Sequence, residues 1–214
     1  MSFQYHANLS TMSEFDAKAR DWDKNQRYFD RSEAVANAIL QIIPLHEGMK
    51  ALEYGSGTAL LSFALKDKFS EITLMDNSIE MTKVTEEKIV AQQVPNMKPL
   101  FFDMEHEDYS ARFDVIYNQM VMHHVNDIDA MLSKFYNLLN PGGYLAIADL
   151  YAEDGSFHGE GFNGHLGFEV EQLADQLKAI GFGNIQHSQV YSIAKTDEEG
   201  NVSEFPIFLL TAAK

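Results

Sequence analysis

A chain of 214 residues has the length of one domain and buries about 70% of its unfolded surface, so no covalent staple is needed. It contains no cysteine, which excludes disulfides, thiolate nucleophiles and thiolate-held zinc or iron–sulfur centres and points to a cytoplasmic setting. Sixteen Lys and Arg against 32 Asp and Glu leave a formal charge of −16, a field that repels phosphate backbones and anionic lipid, so neither nucleic acid nor membrane is an expected partner.

The start, MSFQYHANLSTM, lacks the basic and apolar blocks of a targeting signal. Residues 1–30 are expected to form a lead-in cap, and 31–214 a single domain. Within the lead-in, EFDAKARDWDKNQRYFD carries Phe15, Trp22, Tyr28 and Phe29; Trp22 and Tyr28 are candidates to wall a ligand, whereas Phe15 and Phe29 equally suit packing on the first helix. From Asp30 the string DRSEAVANAILQIIP places Val35, Ile39, Ile42 and Ile43 on one helical face and stops at Pro44.

The strand MKALEY follows, closed by Gly55-Ser56-Gly57 and entering a helix in TALLSFALKDKF. The alternation repeats: EITLMD as strand, a helix entered through Asn77 with Glu80 three residues on, then KPLFFD and FDVIYN as strands. A helix is expected from Asn126 to Leu139, stopped by Pro141-Gly142-Gly143, and GYLAIADL is the next strand. Val170, Leu173, Leu177 and Ile180 mark the last helix, closed by Gly181, and a polar turn joins two β-rich runs at the end as a hairpin. Strand–helix alternation needs right-handed crossovers. The expected fold is therefore α/β: a doubly wound, mostly parallel sheet with an antiparallel terminal pair and ligands at the carboxyl ends of its strands.

Those strand ends carry the candidate chemistry. In Leu52-Glu53-Tyr54-Gly55-Ser56-Gly57, glycines with access to positive φ let a ligand approach backbone N–H groups at a helix start. An ordinary turn would use the same residues. Asp76 closes the next strand, where a carboxylate accepts from both hydroxyls of a ribose, although a capping role is equally open. Asp103 and Asn118 close the third and fourth strands.

In order and spacing these segments resemble the class I S-adenosylmethionine-dependent methyltransferases from about Ala51 to the C-terminus. ALEYGSGTA is similar to the glycine-rich first motif, TLMDNS to the second, FFDME to the third, FDVIYNQMVMHHV to the fourth and LLNPGGYLAIAD to the lead into the fifth strand. The resemblance implies a seven-stranded Rossmann-like sheet with S-adenosylmethionine as cofactor. It implies that Gly55, Ser56 and Gly57 line the methionine part, Asp76 holds the ribose, Asp103 with Met104 flanks the adenine, and Asn118 and Gln119 sit near the sulfonium, with Glu53 and Asn77 also at the cofactor. One departure is Ala59, where the family has its third glycine. The FDAKARDWD stretch resembles the lead-in of the bacterial small-molecule branch.

A nicotinamide-dependent oxidoreductase is the first alternative, but its fingerprint needs glycine where Leu60 stands. A non-catalytic sensor or scaffold that binds the same cofactor is the second. For methyl transfer, a base is required only when the acceptor has a proton to lose, and His123 or His124 is the candidate, with helix capping or packing as the alternative. Neighbours in an extended loop point apart, so one of the two is expected to face the site. The insertion LYAEDGSFHGEGFNGHLGFE offers Tyr151, His158 and His165 as an acceptor wall. His158, His165, Glu153 and Glu160 match no metal spacing, and no metal is expected. The expected partner is a small-molecule acceptor methylated at O, N or ring C, with arsenite set aside because its family branch needs thiolates. Oligomeric state is not legible.

Overall fold

A 3-10 turn over Ala19–Lys24 follows α1 (Glu14–Lys18) and leads into α2 (Gln26–Ile42). α2 starts earlier than Asp30 because Asn25 caps it, its side chain accepting from Arg27 N at 3.2 Å. Residue 30 thus lies inside a helix. The computed structural model describes residues 14–214 apart from 160, 197 and 198. The readings of the first residues, of Glu160 as a metal ligand and of part of the hairpin turn fall outside these.

The alternation appears as β1 (Lys50–Tyr54), α3 (Leu60–Leu65), β2 (Glu71–Asp76), α4 (Ile79–Gln92), β3 (Met97–Phe101) and β4 (Phe113–Gln119). The cap of α4 is Ser78 rather than Asn77: its Oγ accepts from Met81 N at 3.1 Å. α5 (Ile128–Leu138) is capped by Asp127, which accepts from Ala130 N at 2.9 Å. It buries Met131, Leu132, Phe135 and Leu138, each side chain contributing about 1.5–3 kcal/mol by leaving water. Pro141-Gly142-Gly143 does not form a loop after this helix. It lies inside β5 (Leu139–Leu150), beside a bulge in the ladder between Phe113 and Val115.

α6 (Val170–Ile180) ends at Gly181 with φ +119, the left-handed cap expected there. β6 (Gly183–Thr196) and β7 (Val202–Ala213) form the terminal antiparallel pair. The sheet has seven strands in the order β3-β2-β1-β4-β5-β7-β6. β7 is antiparallel to both neighbours, so β6 runs with β5 and carries Ile193 and Lys195 to the edge where the parallel strands end.

Side chains alternate between the two sheet faces, and each face has its own core. Leu52, Ile116 and Leu145 meet α5 and α6 on one face. Ala51, Val115 and Tyr117 meet α2 and α3 on the other. The helices thus close both faces, and the strand ends between β1 and β4, where the winding reverses, are left for ligand. Among the described residues no helix is long and apolar enough to cross a membrane.

Candidate functional site

A cavity of about 690 Å³ opens over these strand ends, within the usual range for small-molecule sites. Gly55 has φ +66, and a Cβ there would sit 2.2 Å from Val121 Cγ2, so only glycine lets the turn pass under the segment after β4. Gly57 has φ +53, and an added Cβ would meet nothing nearer than Met81 Sδ at 4.0 Å, so its backbone borders open cavity. Ala59 occupies the position before α3 at φ +62, a left-handed conformation that glycine adopts without strain and alanine does not.

Asp76 accepts from Gly57 N at 2.7 Å and from Ser78 N at 2.8 Å, which locks the glycine turn to the end of β2. Burial is the main influence on its carboxyl, raising it to about 6 against the pull of those two donors. Each oxygen keeps a lone pair for a ligand hydroxyl. Glu53 is buried beneath: it accepts from Ser62 Oγ, whose oxygen also lies 2.6 Å from the Tyr117 hydroxyl. Burial raises Glu53 to about 8, so it is mostly a neutral acid at pH 7.

Asn77, Asp103, Met104 and Gln119 also line the cavity. Asp103 lies beyond the end of β3, accepting from Glu105 N and bonding His106 Nδ1 at 2.8 Å. Gln119 donates to Ser32 Oγ at 3.0 Å while its Oε1 is buried without a partner, an acceptor held ready for a ligand donor. Asn118 is the exception. It is fully buried within β4, does not reach the cavity wall, and falls on the Ile116 face because side chains alternate.

The segment before α2 is fastened to the end of the glycine turn and to α4 and its cap. Asp23 accepts from Thr58 Oγ1 at 2.6 Å and pairs with Lys88 at 2.6 Å, while Asp16 accepts from Ser78 Oγ at 2.6 Å. Trp22 and Tyr28 both line the cavity, their rings 4.6 Å apart, as does Phe15; Phe29 faces outward.

Beyond β4, Met120 takes φ +56 and the chain tightens into a 3-10 turn over Met122–His124. This turn overturns the expectation of a single site-facing histidine: the two rings lie 4.2 Å apart and both line the cavity. His123 is buried, with Nδ1 2.6 Å from Asp149 Oδ1 and its backbone N donating to Asp149 Oδ2 at 3.2 Å. A buried carboxylate opposite Nδ1 holds the proton there in the neutral ring and leaves Nε2 as the acceptor.

The insertion after β5 is divided in its roles. His158 stacks on Phe162 at 3.7 Å and both line the cavity; burial, then the nearby His123 and Lys195, lowers His158 to about 4, keeping it neutral. Tyr151 and His165 do not reach the cavity. Tyr151 sits in a bridge with Phe168 and packs on Phe208, while His165 Nε2 donates to Val125 O at 2.9 Å and its N to His123 O at 2.8 Å. They tie the insertion to the histidine turn. Among the described residues no group of three or more His, Asp or Glu is arranged to hold a metal.

A family model described as Methyltransferase domain matches residues 22–195. The chain belongs to this methyltransferase family. Its cofactor is S-adenosylmethionine, and the glycine turn, the free lone pairs of Asp76 and the unpartnered Gln119 Oε1 fit that molecule. Among curated relatives, an uncharacterized methyltransferase of Schizosaccharomyces pombe is 27% identical over 156 residues, covering 65% of this chain and 55% of its own. Trans-aconitate 2-methyltransferase of Deinococcus radiodurans is 27% identical over 127 residues, covering 58% and 47%. This methyltransferase chain thus spans about half the length of the curated relatives it matches. The solved DhpI–SAH complex shares the fold at a TM-score of 0.72 and 19% identity, covering 95% of this chain and 94% of that one.

Sequence reasoning missed Asp149, Arg31 and Lys195. Asp149 closes the strand GYLAIADL much as Asp76 closes its own, a signal that was present. Arg31 and Lys195 stand in amphipathic elements where a cation reads as surface.

Proposed function

We propose that the protein transfers the methyl group of S-adenosylmethionine to O, N or ring C of a small molecule that loses a proton in the reaction, with His123 as the base. The observation that carries this reading is the buried 2.6 Å contact between His123 Nδ1 and Asp149 Oδ1 at the cavity wall, which leaves Nε2 to accept a proton. When bound, S-adenosylmethionine would supply a methyl on a sulfonium, its C–S pair leaving with sulfur as a lone pair of O or N, or a π pair of a ring carbon, bonds to the methyl carbon. Gly55, Ser56, Gly57, Asp76 and Gln119 align it for in-line attack, and Trp22, Tyr28 and His158 wall the acceptor and exclude water. His124 stands beside the base as a second candidate. The lead-in through residue 30 acts as the cap.

The charge of −16 supports a small acceptor over nucleic acid or anionic lipid and, with the lack of cysteine, a cytoplasmic role. Trans-aconitate methylation by one relative agrees with this size class. The test is incubation with labelled S-adenosylmethionine and a metabolite extract. A labelled small molecule is expected; cofactor binding with no transfer to any metabolite would favour the sensor reading instead.

A further inference from the structure

We infer that the acceptor is an anionic small molecule whose carboxylate, separate from the atom that takes the methyl group, is bound by Arg31 with support from Lys195. This rests on the methyl-transfer reading and names the class of its acceptor.

Arg31 lines the cavity from α2 and is only 7% exposed, yet it makes no hydrogen bond or ion pair with any described residue. Its Nε is buried without a partner; the Tyr28 ring lies 5.1 Å from the guanidinium carbon, and Asp149 is the carboxylate that acts on it, from beyond ion-pair distance. An unpaired buried charge is costly, and a fold keeps one where a ligand completes it. Burial lowers this guanidinium to about 10, which leaves it charged at neutral pH. Its planar fork matches a carboxylate through two parallel hydrogen bonds.

Two further cations converge here, Lys195 from β6 and Arg27 from α2, which pack side by side. Lys195 donates to Phe157 O and lies 3.9 Å over the Phe157 ring with no carboxylate in ion-pair range among the described residues. Arg27 Nη1 donates to Ala194 O at 2.9 Å. The acids of the cavity lie at the other end of the sheet: Glu53 on β1, Asp76 on β2, and Asp103 and Glu105 after β3. On the cationic side Asp149 is bonded to His123 and Leu150 N, and Glu153 accepts through Oε2 from Gly155 N and Phe157 N with its Oε1 buried and unpartnered; these two carboxylates act on Arg31 and Lys195 from behind the cavity wall, which neither of them lines. The cavity is thus acidic where a cationic cofactor with a ribose belongs and cationic beside the base, in a protein whose net charge is −16. Since His123 has work only when the acceptor loses a proton, the carboxylate held by Arg31 is a handle and a hydroxyl, amine or ring carbon is the nucleophile. The cofactor's own amino-acid carboxylate is the other anion that Arg31 would serve, and the test separates the two.

Calorimetry on protein saturated with S-adenosylhomocysteine would compare succinate and benzoate with succinamide and benzamide. Carboxylates are expected to bind at least about tenfold more tightly than the amides, the scale of a charge-assisted contact. Arg31→Met should weaken carboxylate binding about 30-fold or more, with S-adenosylhomocysteine affinity held within about twofold. Lys195→Met and Arg31→Lys, milder changes, should weaken it less and keep the proposal testable if Arg31→Met fails to fold. Equal binding of acids and amides, or no binding of either, would overturn the proposal. So would loss of S-adenosylhomocysteine affinity in Arg31→Met with carboxylate binding spared. Labelled-methyl transfer to neutral metabolites alone would overturn it while leaving the methyltransferase reading intact, and failure to bind S-adenosylhomocysteine would overturn both.

Discussion

His123 Nδ1 lies 2.6 Å from Asp149 Oδ1, with the two side chains 2% and 0% exposed, and the same carboxylate accepts from the backbone N of His123. One buried acid at the end of β5 thereby fixes both the ring and the turn that carries it. In Asp149→Asn, the amide must set an NH₂ against either His123 or its backbone N–H, whichever way it turns. Turnover is expected to fall about 100-fold or more, as in His123→Ala, with S-adenosylhomocysteine affinity unchanged. Steady-state kinetics beside calorimetry checks this; turnover equal to the parent's in both variants would return the pair to a structural role.

Asp76 carries the second expectation. Burial holds its carboxyl at about 6, so the acceptor form prevails above that pH and is lost as pH falls through it. Cofactor affinity should therefore decline between pH 7 and 5, by about tenfold per pH unit once below the pKa. Asp76→Ala should lose about 100-fold or more at pH 7.5, and Asp76→Asn should show a flat pH profile. Calorimetric titrations with S-adenosylhomocysteine at several pH values decide the matter.

Glu53 bears on stability. Its folded carboxyl sits at about 8, whereas the unfolded value is 4.5, so between these values the native state holds a proton that the unfolded chain has released. Stability must fall as pH rises across that window, by on the order of 5 kcal/mol in total. Glu53→Gln keeps an oxygen to accept from Ser62 and removes the titration, so its Tm should exceed that of the parent at pH 8 and approach it near pH 5. A parent Tm independent of pH across this range would contradict the assignment.

The crossing of Gly55 under Val121 gives a steric expectation. Gly55→Ala forces a left-handed alanine and a Cβ 2.2 Å from Val121 Cγ2, costing about 2–4 kcal/mol in urea unfolding. Adding Val121→Ala should recover the part due to the clash and leave the backbone part.

Much of the fold was legible because its signals are local. Apolar spacing marked α5 and α6, Gly181 marked a cap, and the terminal hairpin announced the antiparallel pair. Glu53, the glycine turn, Asp76 and Asp103 were legible for the same reason: each sits just at or beyond a strand end, and a doubly wound sheet brings strand ends together. Asn118 followed the same rule and still missed the cavity, since one residue along a strand reverses the face. Tyr151 and His165 missed it because the insertion needs anchors as well as a wall.

What the order of residues determined by itself was a thiol-free, strongly acidic chain of alternating strands and helices with a ligand turn after the first strand. Only the tertiary structure decided which charges meet. Asp149 reaches His123 across 26 positions, and α2 and β6, at opposite ends of the chain, bring Arg27 to Ala194 across 167. The physical reason is that hydrophobic periodicity is written in neighbours three or four residues apart, whereas the partner of a buried charge is set by how sheet and helices pack, which no local pattern encodes.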